Sequence, residues 1–101
     1  MAILHEQVLP EGVTLEFVAE VNKELNATGD PPAGLIVHTS SLQDGRVRIV
    51  DVWESVETHD AFGTQRLLPA IQKVAERHGM STDVPMEVTI TEVAEVVRGT
   101  S

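Results

Sequence analysis

The alternation of apolar and polar positions divides the chain into six segments. Ala2 to Leu9 reads as a strand, closed by Pro10-Glu11-Gly12. Thr14 is placed to cap a helix reaching Leu25, with Leu15, Val18, Val21 and Leu25 as an apolar stripe and Glu16 near the positive N-terminal end. Gly29, Asp30 and the Pro31-Pro32 pair make Asn26 to Ala33 a loop. Two runs rich in Val and Ile then flank Asp44-Gly45, a strong hairpin signal because the favoured tight turns need positive φ. Ser55 is placed to cap a second helical segment that carries Phe62, Leu67, Leu68, Ile71 and Val74 and stops at His78-Gly79. Pro69 cannot donate to the carbonyl of Gln65, so this helix is expected to kink or break near Gly63 to Gln65. Met80 to Pro85 reads as a loop and Met86 to Val97 as the last strand.

The order β-α-β-β-α-β predicts one α+β domain of ferredoxin-like type over residues 1–101, a four-stranded antiparallel sheet with both helices on one face. A two- or four-residue loop at Asp44-Gly45 sets Leu42 opposite Val47, Ser40 opposite Ile49, His38 opposite Asp51 and Ile36 opposite Trp53. A three-residue loop would slip the register by one and separate these pairs. With a two- or four-residue loop, His38, Asp51 and Trp53 share one face with Ile36, Ile49 and Ser40. Leu35, Val37, Val50 and Val52 share the other. Helices cover only one side, so the all-aliphatic face is expected to meet a second subunit in a homodimer, and the mixed face to lie under the helices as a cleft.

Charge and composition narrow the function. Sixteen acidic against seven basic residues give a net charge of −9, which argues against binding a nucleic-acid backbone. Cysteine is absent, which excludes disulfides, thiolate metal sites and a Cys nucleophile. No apolar run approaches the roughly 20 residues that span a bilayer, and no signal segment is evident, so a cytoplasmic protein without membrane contact is expected. Tyrosine is also absent, which removes phenolic acid/base chemistry.

Among the residues with chemistry to offer, His38 is the candidate acid/base, and Asp51 beside it fixes its tautomer and stabilises its cation. The same geometry also fits a structural hydrogen bond, and Asp51 has a second potential partner in Arg66 on the following helix. Trp53 and Phe62 are candidate apolar walls for a ligand, and His59 is a candidate at the mouth of the cleft. His5 shares parity with Ile3 and Gln7, but no turn fixes which face they occupy. No metal-ligand spacing, phosphate loop or nucleophile elbow is present, so neither a metal nor a cofactor is expected.

Asp51-Val52-Trp53-Glu54-Ser55, followed by Phe62 and then Arg66-Leu67-Leu68-Pro69, resembles the dimeric α/β-barrel superfamily. That superfamily includes antibiotic-biosynthesis-type monooxygenases and haem-degrading enzymes, and the fuller string is most similar to its small, uncharacterised bacterial members. The resemblance implies a ligand cleft between the helices and the sheet, lined by Trp53. Haem-degrading members carry an asparagine on the first strand where this chain offers His5 and Gln7, so haem is not expected. Quinone-forming members use pocket tyrosines, so their mechanism does not transfer whole. The resemblance implies a small-molecule enzyme, a cofactor-independent monooxygenase acting on an apolar aromatic or polyketide-like substrate. His38 and Asp51 would be catalytic, and Trp53, Phe62, Arg66 and His59 would bind substrate, Arg66 as anchor for a carboxylate or enolate. The alternatives are a proton-transfer cyclase or isomerase, and a non-catalytic ligand-binding or accessory protein.

Overall fold

The computed structural model describes residues 1–27, 29–81 and 87–99. Its elements are β1 (Ile3–Val8), α1 (Leu15–Leu25), β2 (Leu35–Gln43), β3 (Arg46–Trp53), α2 (Val56–Phe62), a π-helical turn (Gly63–Leu67), α3 (Leu68–Arg77) and β4 (Glu87–Glu92). All strand pairs are antiparallel, in the order β2-β3-β1-β4, which is the expected ferredoxin-like arrangement. No described helix is long and apolar enough to cross a membrane. The expected start of the last strand at Met86, and residues 82 to 85 of the loop before it, lie outside the described residues.

Local chemistry accounts for most element ends. The Thr14 hydroxyl accepts the Phe17 N–H at 3.1 Å and opens α1, and Asn26, in the left-handed region at φ 54°, closes it. Val21 and Leu25 of the expected stripe are buried, but Leu15 is exposed, and Phe17 packs in its stead. The packed stripe of α1 therefore starts at its third residue, Phe17. Ser55 caps α2 by accepting the Thr58 N–H at 3.2 Å. The α-helix is interrupted where Pro69 was expected to kink or break it, by the π-helical turn Gly63–Leu67. The chain stays helical through the widened turn, in which the Leu68 N–H donates to the Gly63 carbonyl five residues back. A π turn carries the backbone past a residue that has no N–H to offer.

Asp44 and Gly45 both have positive φ, 52° and 78°, and form the two-residue loop that matches strand twist. The register follows as expected for Leu42 with Val47, Ser40 with Ile49 and His38 with Asp51. It then changes. A bulge between Leu35 and Val37 sets Leu35, not Ile36, opposite Trp53. Leu35 therefore lines the helix-facing side, and Ile36 joins Leu4, Val37 and Val52 on the reverse.

Burial along β3 has period two: Val47, Ile49, Asp51 and Trp53 are buried and their neighbours are not. One core cluster joins Val21 and Leu25 of α1 to Ala70 and Val74 of α3, and another joins Leu9 to Val47 and Ile49 of the sheet. Gly34, ahead of β2, holds φ at +85°, and a Cβ there would come within 2.5 Å of the Thr58 side chain. Its carbonyl accepts the Glu54 N–H at 2.8 Å. Gly34→Ala should therefore lose about 1–3 kcal/mol from the left-handed backbone, with the clash adding to it. Urea titration of the variant checks this, and a midpoint equal to wild type would show that the Gly34–Thr58 approach is not close.

Candidate functional site

Between the helices and the sheet lies a cavity of about 530 Å³, mostly apolar in lining. That is within the range of small-molecule sites, roughly 300–1,000 Å³. Three of its polar residues form one row across three strands. His5 on β1 faces Asp51 on β3, and Asp51 faces His38 on β2. Directly paired residues share a face, so the carboxylate sits between two imidazoles.

His38 Nδ1 lies 2.6 Å from Asp51 Oδ1, the hydrogen bond that the hairpin register implied. The short Nδ1–H to carboxylate distance fixes the tautomer and leaves Nε2 to exchange protons. Asp51 is buried, while about 31% of the His38 side chain remains exposed at the cavity wall. The hydrogen bond to Asp51 raises the pKa of His38 above its usual 6.5, and partial burial opposes this without cancelling it. Burial pushes the Asp51 carboxyl up, but the hydrogen bond from His38, with His5 close by, outweighs it and leaves the pKa below the usual 3.8.

The other expected residues fall in two groups. Trp53, with 1% of its surface exposed, packs against Phe62 at 5.2 Å between ring centroids and edge-on to His59 at 5.7 Å, and all three line the cavity. His59 is partly buried, 4.7 Å from the His5 ring, with its Nδ1 3.0 Å from Asp60 Oδ1. Arg66 is elsewhere. Its guanidinium donates to the carbonyls of Leu25 and Asp30, both at 2.9 Å, and is not part of the cavity wall. The open carbonyls at the C-terminal end of α1 attract a cation more strongly than a distant ligand would, so Arg66 fastens α1 and its loop to the π turn. It does not pair with Asp51, whose partners are histidines.

His5 is the residue whose part the sequence left open. It is buried at the cavity wall, and its Nδ1 is 3.8 Å from Asp51 Oδ2. Only the β1–β3 register reveals this, and no turn joins those strands. Among the described residues, no group of three or more His, Cys, Asp or Glu is arranged to hold a metal ion.

No protein-family model matches the sequence, and no curated protein matches it. Solved structures do resemble it. Rv0793 from Mycobacterium tuberculosis superposes with a TM-score of 0.62 at 15% identity, over 96% of this chain and 98% of that one. An antibiotic biosynthesis monooxygenase-like protein from Caulobacter crescentus CB15 gives 0.63 at 14%, over 93% and 91%. SnoaB, a cofactor-independent oxygenase from Streptomyces nogalater, gives 0.59 at 15%, over 97% of each chain. At such identities the likeness is one of fold: the chain has the ferredoxin-like fold of the antibiotic biosynthesis monooxygenase-like proteins.

Proposed function

We propose that the protein is a small-molecule enzyme, a cofactor-independent monooxygenase acting on an apolar aromatic or polyketide-like substrate. The observation that carries this is the His38–Asp51 pair set in the wall of a mostly apolar cavity. An oriented base in the wall of a mostly apolar cavity suits removal of a proton from an activated C–H of an apolar substrate. His38 Nε2 takes the proton, and Asp51 stabilises the imidazolium. The carbanion, delocalised over the ring system, gives electrons to O₂, a C–O bond forms, and the hydroperoxide loses water to leave a ketone. A CH₂ thus becomes C=O while O₂ becomes the ketone oxygen and one water, so the substrate supplies all four electrons and no external reductant is required. The fold shared with SnoaB supports this chemistry.

Oxygen uptake with anthrone-like or enolisable polyketide substrates tests the reading. The expected result is one O₂ consumed per ketone formed, with kcat/KM rising with pH as His38 loses its proton, around a midpoint above 6.5. Asp51→Asn removes the group that raises the His38 pKa, so the limb should move to lower pH while the plateau rate falls. Turnover without O₂ uptake would instead identify a proton-transfer isomerase or cyclase. A cavity that binds such compounds and turns none of them over would identify a ligand-binding protein.

The reading includes a homodimer through the reverse face of the sheet, where Leu4, Val37 and Val52 stand side by side and Val37 is 46% exposed. Val52 is flanked by Leu4 and Val37, whereas Val50 is flanked by Glu6 and Thr39, so Val52 is the sharper probe. Val52→Asp should give a folded monomer by light scattering, since an unpaired carboxylate in a dry interface costs several kcal/mol and one facing water costs little. Wild-type protein that is monomeric at micromolar concentration would end this part of the reading.

A further inference from the structure

The buried imidazole of His5 is unexplained by the His38–Asp51 pair. Among the described residues, His5 Nδ1 is one of two buried side-chain nitrogen or oxygen atoms with no hydrogen-bond partner, the other being Trp53 Nε1. A buried polar atom left unpaired costs about 1–3 kcal/mol, so its retention at a cavity wall calls for a reason. The nearest candidate partner is the free oxygen of the Asp51 carboxylate, Oδ2, at 3.8 Å. Closing that gap by about 1 Å would bring it into the ordinary N–H···O range. Oδ1 of the same carboxylate is already committed to His38.

We propose that His5 is a positioning residue for the base: its Nδ1–H engages Oδ2 of Asp51, so that one carboxylate is shared between two imidazoles and held in the plane that orients His38. The register makes this a built arrangement, because His5, Asp51 and His38 are direct cross-strand partners in one row over β1, β3 and β2. The His5 ring lies 4.7 Å from that of His59, and Ile90 is the residue opposite His5 on β4. The titratable groups facing it are therefore Asp51 from β3, His38 beyond that carboxylate, and His59 with its partner Asp60 from α2.

Sharing has a defined consequence. A donor on Oδ2 draws charge away from Oδ1 and weakens the hold of the carboxylate on the His38 proton. His5 thereby keeps His38 basic enough to take a proton yet able to release it near neutral pH. Without His5 the carboxylate acts on His38 alone and is free to rotate.

NMR of the histidine side chains tests this in the full chain. In wild type, His5 should be the Nδ1–H tautomer, with an Nδ1 proton that disappears in Asp51→Asn. In His5→Phe, which keeps a ring of similar size and removes the donor, His38 should titrate at higher pH than in wild type. His5→Asn, whose side-chain N–H lies near the place of Nδ1, should bring the midpoint back. The kinetic arm rests on His38 being the base: the rising limb of kcat/KM should follow the same order. The NMR arm stands without any turnover, so failure of the enzymatic reading and failure of this one are distinguishable. A His38 midpoint equal in wild type and His5→Phe overturns the proposal, as does a loss of rate or stability in His5→Phe with no movement of that midpoint. If His5→Phe does not fold, the wild-type tautomer decides: a bare Nδ1 with the proton on Nε2 overturns the proposal.

Discussion

His38→Ala is expected to lower kcat by about 10²- to 10⁴-fold while leaving aromatic ligands bound nearly as tightly as in wild type. The separation of the two effects follows from geometry. The apolar contacts a ligand would make come from Trp53, Phe62, Leu35 and Ile71, none of which depends on the imidazole. Truncation removes the group that takes the proton in the proposed reaction and leaves the walls standing. Trp53, the only tryptophan, reports occupancy directly, so its quenching by ligand measures binding in the same variant. Loss of stability should be modest, because His38 sits on the edge strand β2 and is only partly buried. Asp51 would lose one hydrogen bond, worth about 1.5–3 kcal/mol for a charged group. Turnover by His38→Ala within threefold of wild type would remove His38 from the chemistry. A parallel loss of binding and fold would assign the pair a structural task.

Stability should show the same pair through its pH dependence. His38 titrates higher in the folded chain than its usual 6.5, so its contribution is complete below that value and is lost as pH rises through the folded pKa. Asp51 titrates below its usual 3.8, so its contribution is present above that value and is lost as pH falls through the folded pKa. The ion pair therefore stabilises the fold most between about pH 4 and 6.5, while catalysis by free imidazole needs the alkaline side of that window.

The hairpin was legible because a two-residue turn is a local signal with a global consequence: once Asp44 and Gly45 set the register, His38 and Asp51 had to meet. Legibility ended where the cause became non-local. The bulge at Leu35 and Val37 exchanged the faces of Leu35 and Ile36, and no residue in that run announces it. His5 could not be placed because β1 reaches β3 across the whole of α1 and the hairpin. For Arg66 the sequence offered a free cation above a cleft. The structure gives it two carbonyls at the end of α1, an attraction visible only once that helix end is in place. Pro69 announced a disturbance correctly, but not that a π turn would absorb it.

The largest loss of stability is expected from Trp53→Ala. Trp53 is almost wholly buried, ends β3, and lies between Ile3 of β1 and Leu35 of β2 in the sheet, with Phe62 and His59 of α2 against its ring. It therefore joins both neighbouring strands to the second helix at one point. Large aromatic to alanine changes in a core cost about 3–5 kcal/mol, against a total of roughly 5–15 kcal/mol for a domain. At about 4–8 °C per kcal/mol for a chain near this size, Tm should fall by more than about 10 °C. Trp53→Phe separates shape from polarity. It keeps a ring against Phe62 and His59 and removes an indole N–H that has no partner among the described residues, so the relief of that unpaired donor offsets part of the lost volume. The Phe variant should melt much closer to wild type than the Ala variant does. Calorimetry of the pair checks both halves: a Trp53→Ala protein melting within a few degrees of wild type would mean that the ring is not a keystone of the core. A Phe variant as unstable as Ala would mean that the indole nitrogen does find a partner in solution.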